Sequence, residues 1–242
     1  MPSIKQYKYL DIITIVFVVV LIITNLIGSV KITRLCFGEM FCFSTTTGLL
    51  LFPVSYLIGD ILTEIYGYSA SRRIIWTGFI ALIISNLIVQ FFIFLPPDPD
   101  WGLQDAYSKI FNQSFRVSIA SMIAFWCGEF TNSYVLAKMK VMTKGKFMLA
   151  RLIGSTMAGE LVDTLIIFPL GFLGAEGYPL SLMFKMMMSK YIIKVLWEVI
   201  AYPILTVHLI KFLKKNEHED YYDYDTDLNP FHIEPETVIN KH

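Results

Sequence analysis

IGDILTEIYGYSASRR, residues 58–73, places Asp60 and Glu64 directly after an apolar stretch. From Met40 to Gly59 the chain has no charged side chain, and two carboxylates then follow four residues apart. Residues at this spacing lie on one face of an α-helix. Ionisable groups at membrane depth cost about 2.5–3.5 kcal/mol each on insertion scales, so they normally face a cavity or a partner. The segment therefore predicts a membrane helix with one polar face directed into the protein.

The overall composition is that of an integral membrane protein. Of the 242 residues, 55% are hydrophobic and 17% are charged, and the mean hydropathy is +0.57. Residues 12–30 and 74–97 each run without a charged side chain, and each is long enough to cross a hydrocarbon core of about 30 Å. We therefore expect a multi-pass protein that is embedded in the lipid bilayer.

Six apolar segments fit helices of membrane-spanning length. The predicted fold is all-α, with a six-helix transmembrane domain in residues 1–215 and an acidic, tyrosine-rich cytoplasmic tail in residues 216–242. Eight of the 20 acidic residues lie in this tail. Residues 29–48 are too polar in their first half to span, and we expect an interfacial or re-entrant excursion there. The expected spans are residues 11–28, 48–67, 74–95, 117–137, 150–173 and 183–210.

The loop charges predict the orientation of these spans. With a cytoplasmic N-terminus, thirteen Lys and Arg residues fall in cytoplasmic segments and five in external segments. Because Lys and Arg accumulate on the cytoplasmic side, both termini are predicted to be cytoplasmic. The thirteen are Lys5, Lys8, Arg72, Arg73, Lys138, Lys140, Lys144, Lys146, Arg151, Lys211, Lys214, Lys215 and Lys241, and the five are Lys31, Arg34, Lys109, Arg116 and Lys185.

Short motifs recur in the two halves of the chain. Thr24-Asn25 in the first predicted helix matches Thr131-Asn132 in the fourth, and GDILTE at 59–64 resembles GELVDT at 159–164. Three helices per half would insert the second half upside down, and inverted repeats are typical of transporters that alternate access around a central site. A 3+3 inverted repeat is therefore one interpretation, and chance similarity of short motifs is the other.

Eight of the charged side chains in the predicted spans are expected at membrane depth. Lys190, Lys194 and Glu198 recur every fourth residue and thus share one face of the last helix. The eight groups could form a structural salt-bridge network, or they could line a polar path for a substrate. The remaining five are Asp60, Glu64, Glu129, Glu160 and Asp163.

Motifs for catalysis and for metal binding are absent from the sequence. It contains no GxSG serine motif, no GxGD pair, no HExxH and no Walker A sequence. Cys36, Cys42 and Cys127 form no CxxC pair and have no nearby histidine set, which argues against zinc and redox sites. We therefore predict that the protein is not an enzyme, needs no cofactor and binds no nucleic acid directly.

Four stretches carry a resemblance to a known family: FPVSYLIGDILTEIYGYSASRRIIWTGF (52–79), RLIGSTMAGELVDTLIIFPLGFLG (151–174), KYIIKVLWEVIAYPI (190–204) and YDYDTDLNPF (222–231). The combination of DxxxExYGY with RxxxSTxxGExxD is more specific than either motif alone. In these motifs the chain resembles the queuosine precursor transporters, which are also grouped as putative vitamin uptake transporters. The differences from the family pattern lie in loops such as PPDPDW (96–101), and they do not change these motifs.

The resemblance implies import of a 7-deazaguanine across the cytoplasmic (inner) membrane, for use in tRNA modification and without an ATPase of its own. Candidate substrates are 7-cyano-7-deazaguanine, 7-aminomethyl-7-deazaguanine and queuine. A guanine-like edge offers N1–H and an exocyclic amine, and a carboxylate accepts from both. The predicted substrate-binding residues are Glu160, Asp163, Lys194, Glu198, Asp60, Asn25 and Asn132, and the predicted gate or structural residues are Glu64, Glu129, Lys190 and Arg151.

Several alternatives stay open at the level of sequence. The chain could be the substrate-binding subunit of an energy-coupling-factor vitamin transporter, or a structural membrane protein whose buried charges only join helices. Glu64 could simply pair with Arg72 or Arg73 at the membrane interface. YDTDLNPF (224–231) is expected to fold back on the helices, and the final residues are expected to be disordered. The coupling ion and the formation of a homo-oligomer are left undetermined.

Overall fold

A computed structural model describes residues 7–28, 32–37, 41–111, 115–173, 180–217 and 219–232. Helices dominate these residues, as predicted. The described elements are α1 (Leu10–Ile23), a π-helical turn (Thr24–Gly28), β1 (Ile32–Phe37), β2 (Phe41–Thr46), α2 (Gly48–Phe94), α3 (Gln104–Phe111), α4 (Phe115–Met142), α5 (Met148–Phe172), α6 (Leu180–Ala201), a second π-helical turn (Tyr202–Thr206) and α7 (Val207–Glu217).

Helix α2 breaks at Gly67, where the backbone has φ of 83° and ψ of 172°. This positive φ is readily accessible only to glycine, because a side chain would clash with the backbone. The break divides α2 into a first arm, residues 48–66, and a second arm, residues 68–94. Sequence analysis had placed two spans here, 48–67 and 74–95, so the predicted division falls close to the observed one.

The two arms of α2 run antiparallel to each other, and their contacts with α4 establish this. Near Gly67, the Ser133 hydroxyl contacts both Thr63 of the first arm and Ser71 of the second, each at 3.1 Å. Far from Gly67, Phe52 of the first arm and Asn86 of the second arm both lie against the N-terminal half of α4. The chain therefore reverses at Gly67 and crosses the helix bundle a second time.

Four described segments are long and apolar enough to cross a membrane: Leu10–Gly28, Leu50–Phe94, Met148–Gly171 and Lys190–Glu217. The second of these contains both arms of α2. Helix α4 covers the predicted fourth span, 117–137, but is not among the four. The chain is thus a helical, multi-pass membrane protein.

Large apolar side chains cover the outside of these segments. Leu87, Ile204 and Phe94 are 63%, 71% and 85% exposed. In lipid such a surface is favourable, because every backbone polar group of a helix is bonded within the helix and the apolar side chains meet hydrocarbon. The polar side chains are correspondingly concentrated between the helices.

The connection between the first π-helical turn and α2 contains an antiparallel hairpin of β1 and β2, with Cys36 opposite Cys42. Sequence analysis had expected an interfacial or re-entrant excursion in this stretch of an all-α fold. The strands ITRLCF and FCFSTT are rich in β-branched and aromatic residues, which favour extended backbone. The Thr47 hydroxyl donates to the Gly28 carbonyl at 3.0 Å and joins the end of the hairpin to the first π-helical turn.

Helices α4 and α5 approach each other closely at Gly128 and Gly159. A Cβ atom added to Gly159 would lie 2.7 Å from the Gly128 carbonyl oxygen. Small residues allow such close contact between membrane helices, where dispersion and polar contacts replace the hydrophobic effect as the driving force. This crossing brings Asn132 and the acidic residues of α5 to the same depth.

Candidate functional site

Asp60 is fully buried and holds four parts of the fold together. The Asn132 amide of α4 donates to its Oδ1 at 2.8 Å, and the Thr156 hydroxyl of α5 donates to its Oδ2 at 3.2 Å. The Tyr202 hydroxyl, at the start of the second π-helical turn, also donates to Oδ2. Asp60 and Asn132 were both predicted site residues, and the structure brings them into direct contact.

Tyr202 opens the second π-helical turn, and the sequence analysis did not single it out. Pro203 follows it and lacks the backbone N–H that a regular helix would use at that position. Irregular helical turns of this type are frequent at functional sites. A proline inside a predicted span, YPIL at 202–205, was the available signal for this irregularity.

Lys194 joins the two acidic residues of α5. Its Nζ lies 2.6 Å from Glu160 Oε2 and 2.8 Å from Asp163 Oδ2, and it stands over the ring of Phe52 at 4.1 Å from the centroid. All three charged side chains are buried. The predicted grouping of Glu160, Asp163 and Lys194 is therefore present in the structure.

Several buried polar atoms near these residues have no hydrogen-bond partner among the described residues. They include both carboxylate oxygens of Glu198, Glu160 Oε1, Asn132 Oδ1 and the Tyr56 hydroxyl. A buried polar group left unsatisfied costs about 1–3 kcal/mol. These atoms are thus favourably placed to bond a polar ligand. We call Asp60, Asn132, Glu160, Asp163, Lys194 and Glu198 the central group.

The central group has more acidic than basic side chains. Four of its members are carboxylic acids, and Lys194 is its one cation. Glu198 interacts electrostatically with Glu160, Asp60 and Lys194, so the members act on one another across three helices. Because carboxylates only accept hydrogen bonds when ionised, this arrangement suits a ligand with several donors and few negative charges.

Glu64 lies at the Gly67 end of the bundle and is also fully buried. Arg151 Nη2 is 2.8 Å and Lys214 Nζ is 2.7 Å from Glu64 Oε1, and Lys140 Nζ is 3.9 Å away. Pairing with Arg72 or Arg73, which the sequence left open, is therefore wrong. The cations come from α4, α5 and α7 because α4 and α7 end, and α5 begins, at the same end of the bundle as Gly67.

The tail folds back on this end of the bundle, as expected for YDTDLNPF. The backbone N–H of Tyr68 donates to the carboxylate of Asp223 at 3.0 Å, just after the break at Gly67. Arg72, which is only 1% exposed, donates to the carbonyl oxygens of Asp227 and Asn229 at 2.6 and 2.8 Å. The final residues predicted to be disordered, 233–242, lie outside the described residues.

Asp220 connects the tail to the cations around Glu64. Its Oδ1 lies 2.6 Å from Lys140 Nζ and 2.7 Å from Lys214 Nζ. Partial burial raises the pKa of Asp220, but the hydrogen bonds and charges of Lys140 and Lys214 outweigh it and hold the pKa below its ordinary value. The tail is therefore attached by an ionised carboxylate at neutral pH.

One predicted residue, Asn25, lies away from the central group. Asn25 lines a separate cavity of about 300 Å³ together with Asn86 and Gln90, and none of the central group lines it. Its amide donates to the Leu21 carbonyl of its own helix at 2.9 Å. Lys190, one helical turn from Lys194, stands 5.4 Å from the centroid of the Phe168 ring and lies within electrostatic range of Lys194 and Asp163.

The matching motifs of the two halves consequently have different hydrogen-bond and ion-pair partners. Asn132 donates to Asp60, the acid of GDILTE, whereas the acids of GELVDT pair with Lys194. Within the part of the chain that the structure describes, no three His, Cys, Asp or Glu side chains converge as they would around a metal ion.

Comparison with known proteins finds relatives of one kind. A family model described as "Putative vitamin uptake transporter" matches residues 46–208, which contain the whole central group. A "Probable queuosine precursor transporter" of Bacillus subtilis (strain 168) is 28% identical over 166 residues, 68% of this chain and 72% of the relative. A "Queuosine precursor transporter" of Escherichia coli (strain K12) is 25% identical over 175 residues, 72% of this chain and 76% of the relative. No solved structure matches the chain.

Proposed function

The chain belongs to the putative vitamin uptake transporter family, and on this premise we propose that it imports a queuosine precursor across the cytoplasmic (inner) membrane. The names of its relatives in Bacillus subtilis and Escherichia coli support this class of substrate. The proposed substrate is a 7-deazaguanine base, such as 7-cyano-7-deazaguanine, 7-aminomethyl-7-deazaguanine or queuine, and the imported base serves tRNA modification.

The single observation that carries this proposal is the chemistry of the central group. A 7-deazaguanine presents N1–H and an exocyclic amine side by side, and Glu160 or Asp163 can accept from both donors. Lys194 and the Asn132 amide can donate to the carbonyl oxygen, which lies next to N1–H on the same edge of the base. Phe52 and Tyr56 offer aromatic faces for a flat ring. A small planar base with several donors thus matches the excess of acceptors.

The substrate must reach a site that is closed in this conformation. Asp60, Glu160 and Glu198 are each no more than 1% exposed, so the helices have to separate before a base can enter. Separation alternately towards the two sides of the membrane would move a base across it, as in other transporters with a midplane site. We propose six spans, with the arms of α2 and helix α4 each crossing the bilayer.

The proposed orientation places the Gly67 end in the cytoplasm together with both termini. The cations around Glu64 and the lysines at the ends of α4 and α7 gather at this end, in agreement with the positive-inside rule. The acidic tail would then cover the cytoplasmic end of the bundle.

An uptake assay in cells tests the proposal. Cells that cannot make queuosine and lack their own importer would receive this chain and a 7-deazaguanine, and queuosine in tRNA would be measured. We expect queuosine to appear with the unchanged chain and to be lost with Glu160→Gln and Asp163→Asn. The exposed Asp105 provides a control, since Asp105→Asn should leave uptake intact.

Two outcomes would count against the proposal in different ways. If no base restores queuosine although the chain is present in the membrane, import of these bases is wrong. If both acid variants import normally, the assignment of the site to Glu160 and Asp163 is wrong, while the function stands. Competition among the three bases in the same cells would identify the preferred one.

A further inference from the structure

We propose that the site prefers a 7-deazaguanine with a positively charged 7-substituent, and that Glu129 accepts hydrogen bonds from this charged group. The inference rests on the proposed function, because it selects among the bases proposed there. 7-Aminomethyl-7-deazaguanine carries a primary amine, which is protonated at neutral pH like the amine of lysine. 7-Cyano-7-deazaguanine carries a neutral nitrile, which only accepts hydrogen bonds. Glu129 was predicted from sequence only as a gate or structural residue.

Glu129 is buried without a partner. Its side chain is 0% exposed, and neither carboxylate oxygen has a hydrogen-bond partner among the described residues. The Asp60 carboxylate, by contrast, accepts three hydrogen bonds. Lys194 bonds one oxygen each of Glu160 and Asp163. Glu129 therefore keeps both of its oxygens available for a ligand.

Glu129 lies beside the place that the proposed function gives to the base. A Cβ atom added to Gly59 would lie 1.7 Å from Glu129 Oε1, so the carboxylate lies against α2, next to Asp60. Asp60 and Glu160 both act on Glu129 electrostatically. Tyr56, which offers its ring to the base, interacts in the same way with Glu129 and Glu160. A base on the Tyr56 ring with its edge at Glu160 therefore lies beside Glu129.

The two rings of the base then meet different helices. N1–H, the exocyclic amine and the carbonyl group are on the six-membered ring, and their proposed partners are Glu160 or Asp163 of α5 and Lys194 of α6. The 7-substituent is on the five-membered ring. Glu129 belongs to α4 and is not needed for the first set of hydrogen bonds. We therefore place the 7-substituent at Glu129.

A cationic substituent at this point would balance a charge that the protein leaves unbalanced. The groups that act on Glu129, Asp60 and Glu160, are themselves acids. An unpaired buried charge is strongly unfavourable. An ammonium group has three N–H donors, and a hydrogen bond between charged groups is roughly twice as strong as one between neutral groups. A nitrile in the same place would set an acceptor against an ionised carboxylate.

A metal ion fits this arrangement less well than an organic cation. A metal ion such as Ca²⁺ needs several oxygen ligands that converge on one point. In the described part of the chain, no three His, Cys, Asp or Glu side chains converge in this way. An ammonium group that is attached to a base needs only one carboxylate, because the ring of the base bonds the other acids.

Binding of matched bases to the purified, unchanged chain in detergent tests the inference. Isothermal titration calorimetry would compare 7-aminomethyl-, 7-hydroxymethyl- and 7-cyano-7-deazaguanine at neutral pH. The hydroxymethyl base has nearly the shape of the aminomethyl base but no charge. We expect the aminomethyl base to bind at least about tenfold more tightly than either neutral base. This comparison depends on no variant being folded.

Variants then identify the residue. Glu129→Gln keeps the shape but removes the charge, so the aminomethyl base should bind at least about tenfold more weakly while the cyano base changes by less than about threefold. Retained binding of the cyano base shows that the variant is folded. Glu129→Asp keeps the charge and should keep part of the preference. Glu198→Gln removes the other carboxylate with two unpartnered oxygens and should keep the ratio, because Lys194 already acts on Glu198. The exposed control Asp105→Asn should change nothing.

Four results would overturn the inference. They are equal affinity for the aminomethyl and hydroxymethyl bases, tighter binding of the cyano base, a full preference in Glu129→Gln, and loss of the preference in Glu198→Gln instead. In each of these cases the binding of a base still supports the proposed function. If no 7-deazaguanine binds to the unchanged chain and none restores queuosine in cells, both proposals are wrong.

Discussion

Lys194 Nζ lies 2.6 Å from Glu160 Oε2, and this ion pair between α6 and α5 is almost completely shielded from solvent. Lys194→Met would leave Glu160 and Asp163 without their cation. Breaking a buried ion pair by removing one partner costs about 3–5 kcal/mol, so we expect a clear drop in the unfolding temperature in detergent and loss of uptake. Lys190→Met is the matched control, since Lys190 contacts the Phe168 ring. Equal losses in the two variants would contradict the special role of Lys194.

Tyr202→Phe tests the junction at Asp60. The variant removes the hydroxyl that donates to Asp60 Oδ2 but leaves the donors from Asn132 and Thr156 in place. Hydrogen bonds to charged groups contribute about 1.5–3 kcal/mol, and we expect a loss of unfolding free energy in this range. The second tyrosine to compare is Tyr191, whose hydroxyl donates to a backbone carbonyl at 3.2 Å from a more exposed position. Tyr191→Phe should have the smaller effect, and the reverse order would exclude a structural role for the Tyr202 hydroxyl.

Gly159→Ala tests the close crossing of α4 and α5. The added Cβ would meet the Gly128 carbonyl oxygen at 2.7 Å and the Asn132 Cβ at 2.8 Å. Because one of these atoms is backbone, the helices have to move apart, and overpacking of this kind costs about 1–3 kcal/mol. At Gly154 of the same helix, a Cβ would meet only the flexible end of Met139 at 3.2 Å. Gly154→Ala should therefore unfold at nearly the original temperature, and we would abandon the packing argument if Gly159→Ala did the same.

Asp223→Ala tests the attachment of the tail. The Asp223 carboxylate accepts from the backbone N–H of Tyr68 at the start of the second arm of α2. Loss of such a cap costs about 0.5–2 kcal/mol, so we expect faster hydrogen exchange of the amides in residues 219–232. Asp225, which is exposed, provides the control substitution. Unchanged exchange in Asp223→Ala would mean that the tail is held without this cap by Arg72 and by Trp76, whose indole N–H donates to the Pro230 carbonyl at 2.8 Å.

The attachment of the tail should also depend on pH through Asp220. Lys140 and Lys214 hold the pKa of Asp220 below its ordinary value of 3.8. A group with a lowered pKa in the folded state stabilises that state fully above its unfolded pKa, and this contribution is lost as the pH falls through the lower folded value. Tail contacts should thus be constant at neutral pH and weaken below about pH 4.

Hydrogen exchange of residues 219–232, corrected for the intrinsic effect of pH, measures this dependence. Asp220→Asn should show faster exchange already at neutral pH, with less further change on acidification. An identical pH profile in the variant and in the unchanged chain would assign the acid response to another group.

Much of the helical fold could be predicted from sequence. Long apolar runs such as residues 12–30 and 74–97 predict spans because a helix needs about 20 apolar residues to cross the bilayer. The spacing of Glu160 and Asp163, and of Lys194 and Glu198, predicts shared faces, and these residues do face the interior. The hairpin of β1 and β2 was missed, because short strands carry a weak signal beside apolar helices.

The candidate site was only partly predictable for a different reason. Helical spacing indicates which side chains share a face of one helix, but it does not indicate which other helix packs against that face. Asn25 and Asn132 have the same local motif, yet Asn132 donates to Asp60 and Asn25 lines a separate cavity. Thr156 and Tyr56 carry no charge and gave no signal, and Tyr202 was indicated only by the proline that follows it, although all three side chains are buried.

The sequence alone determined that this protein is a helical membrane protein with costly charges at depth, since hydrophobicity and spacing act locally along the chain. Only the tertiary structure decided how those charges are compensated. In the structure, Arg151 and Lys214 form ion pairs with Glu64, and Lys194 forms ion pairs with the two acids of α5. The carboxylate oxygens of Glu129 have no hydrogen-bond partner among the described residues. Asp60 and Glu64, one helical turn apart in the opening motif, consequently belong to two separate networks. The physical reason is that each ion pair or hydrogen bond depends on distances of a few ångströms between helices that are far apart in sequence.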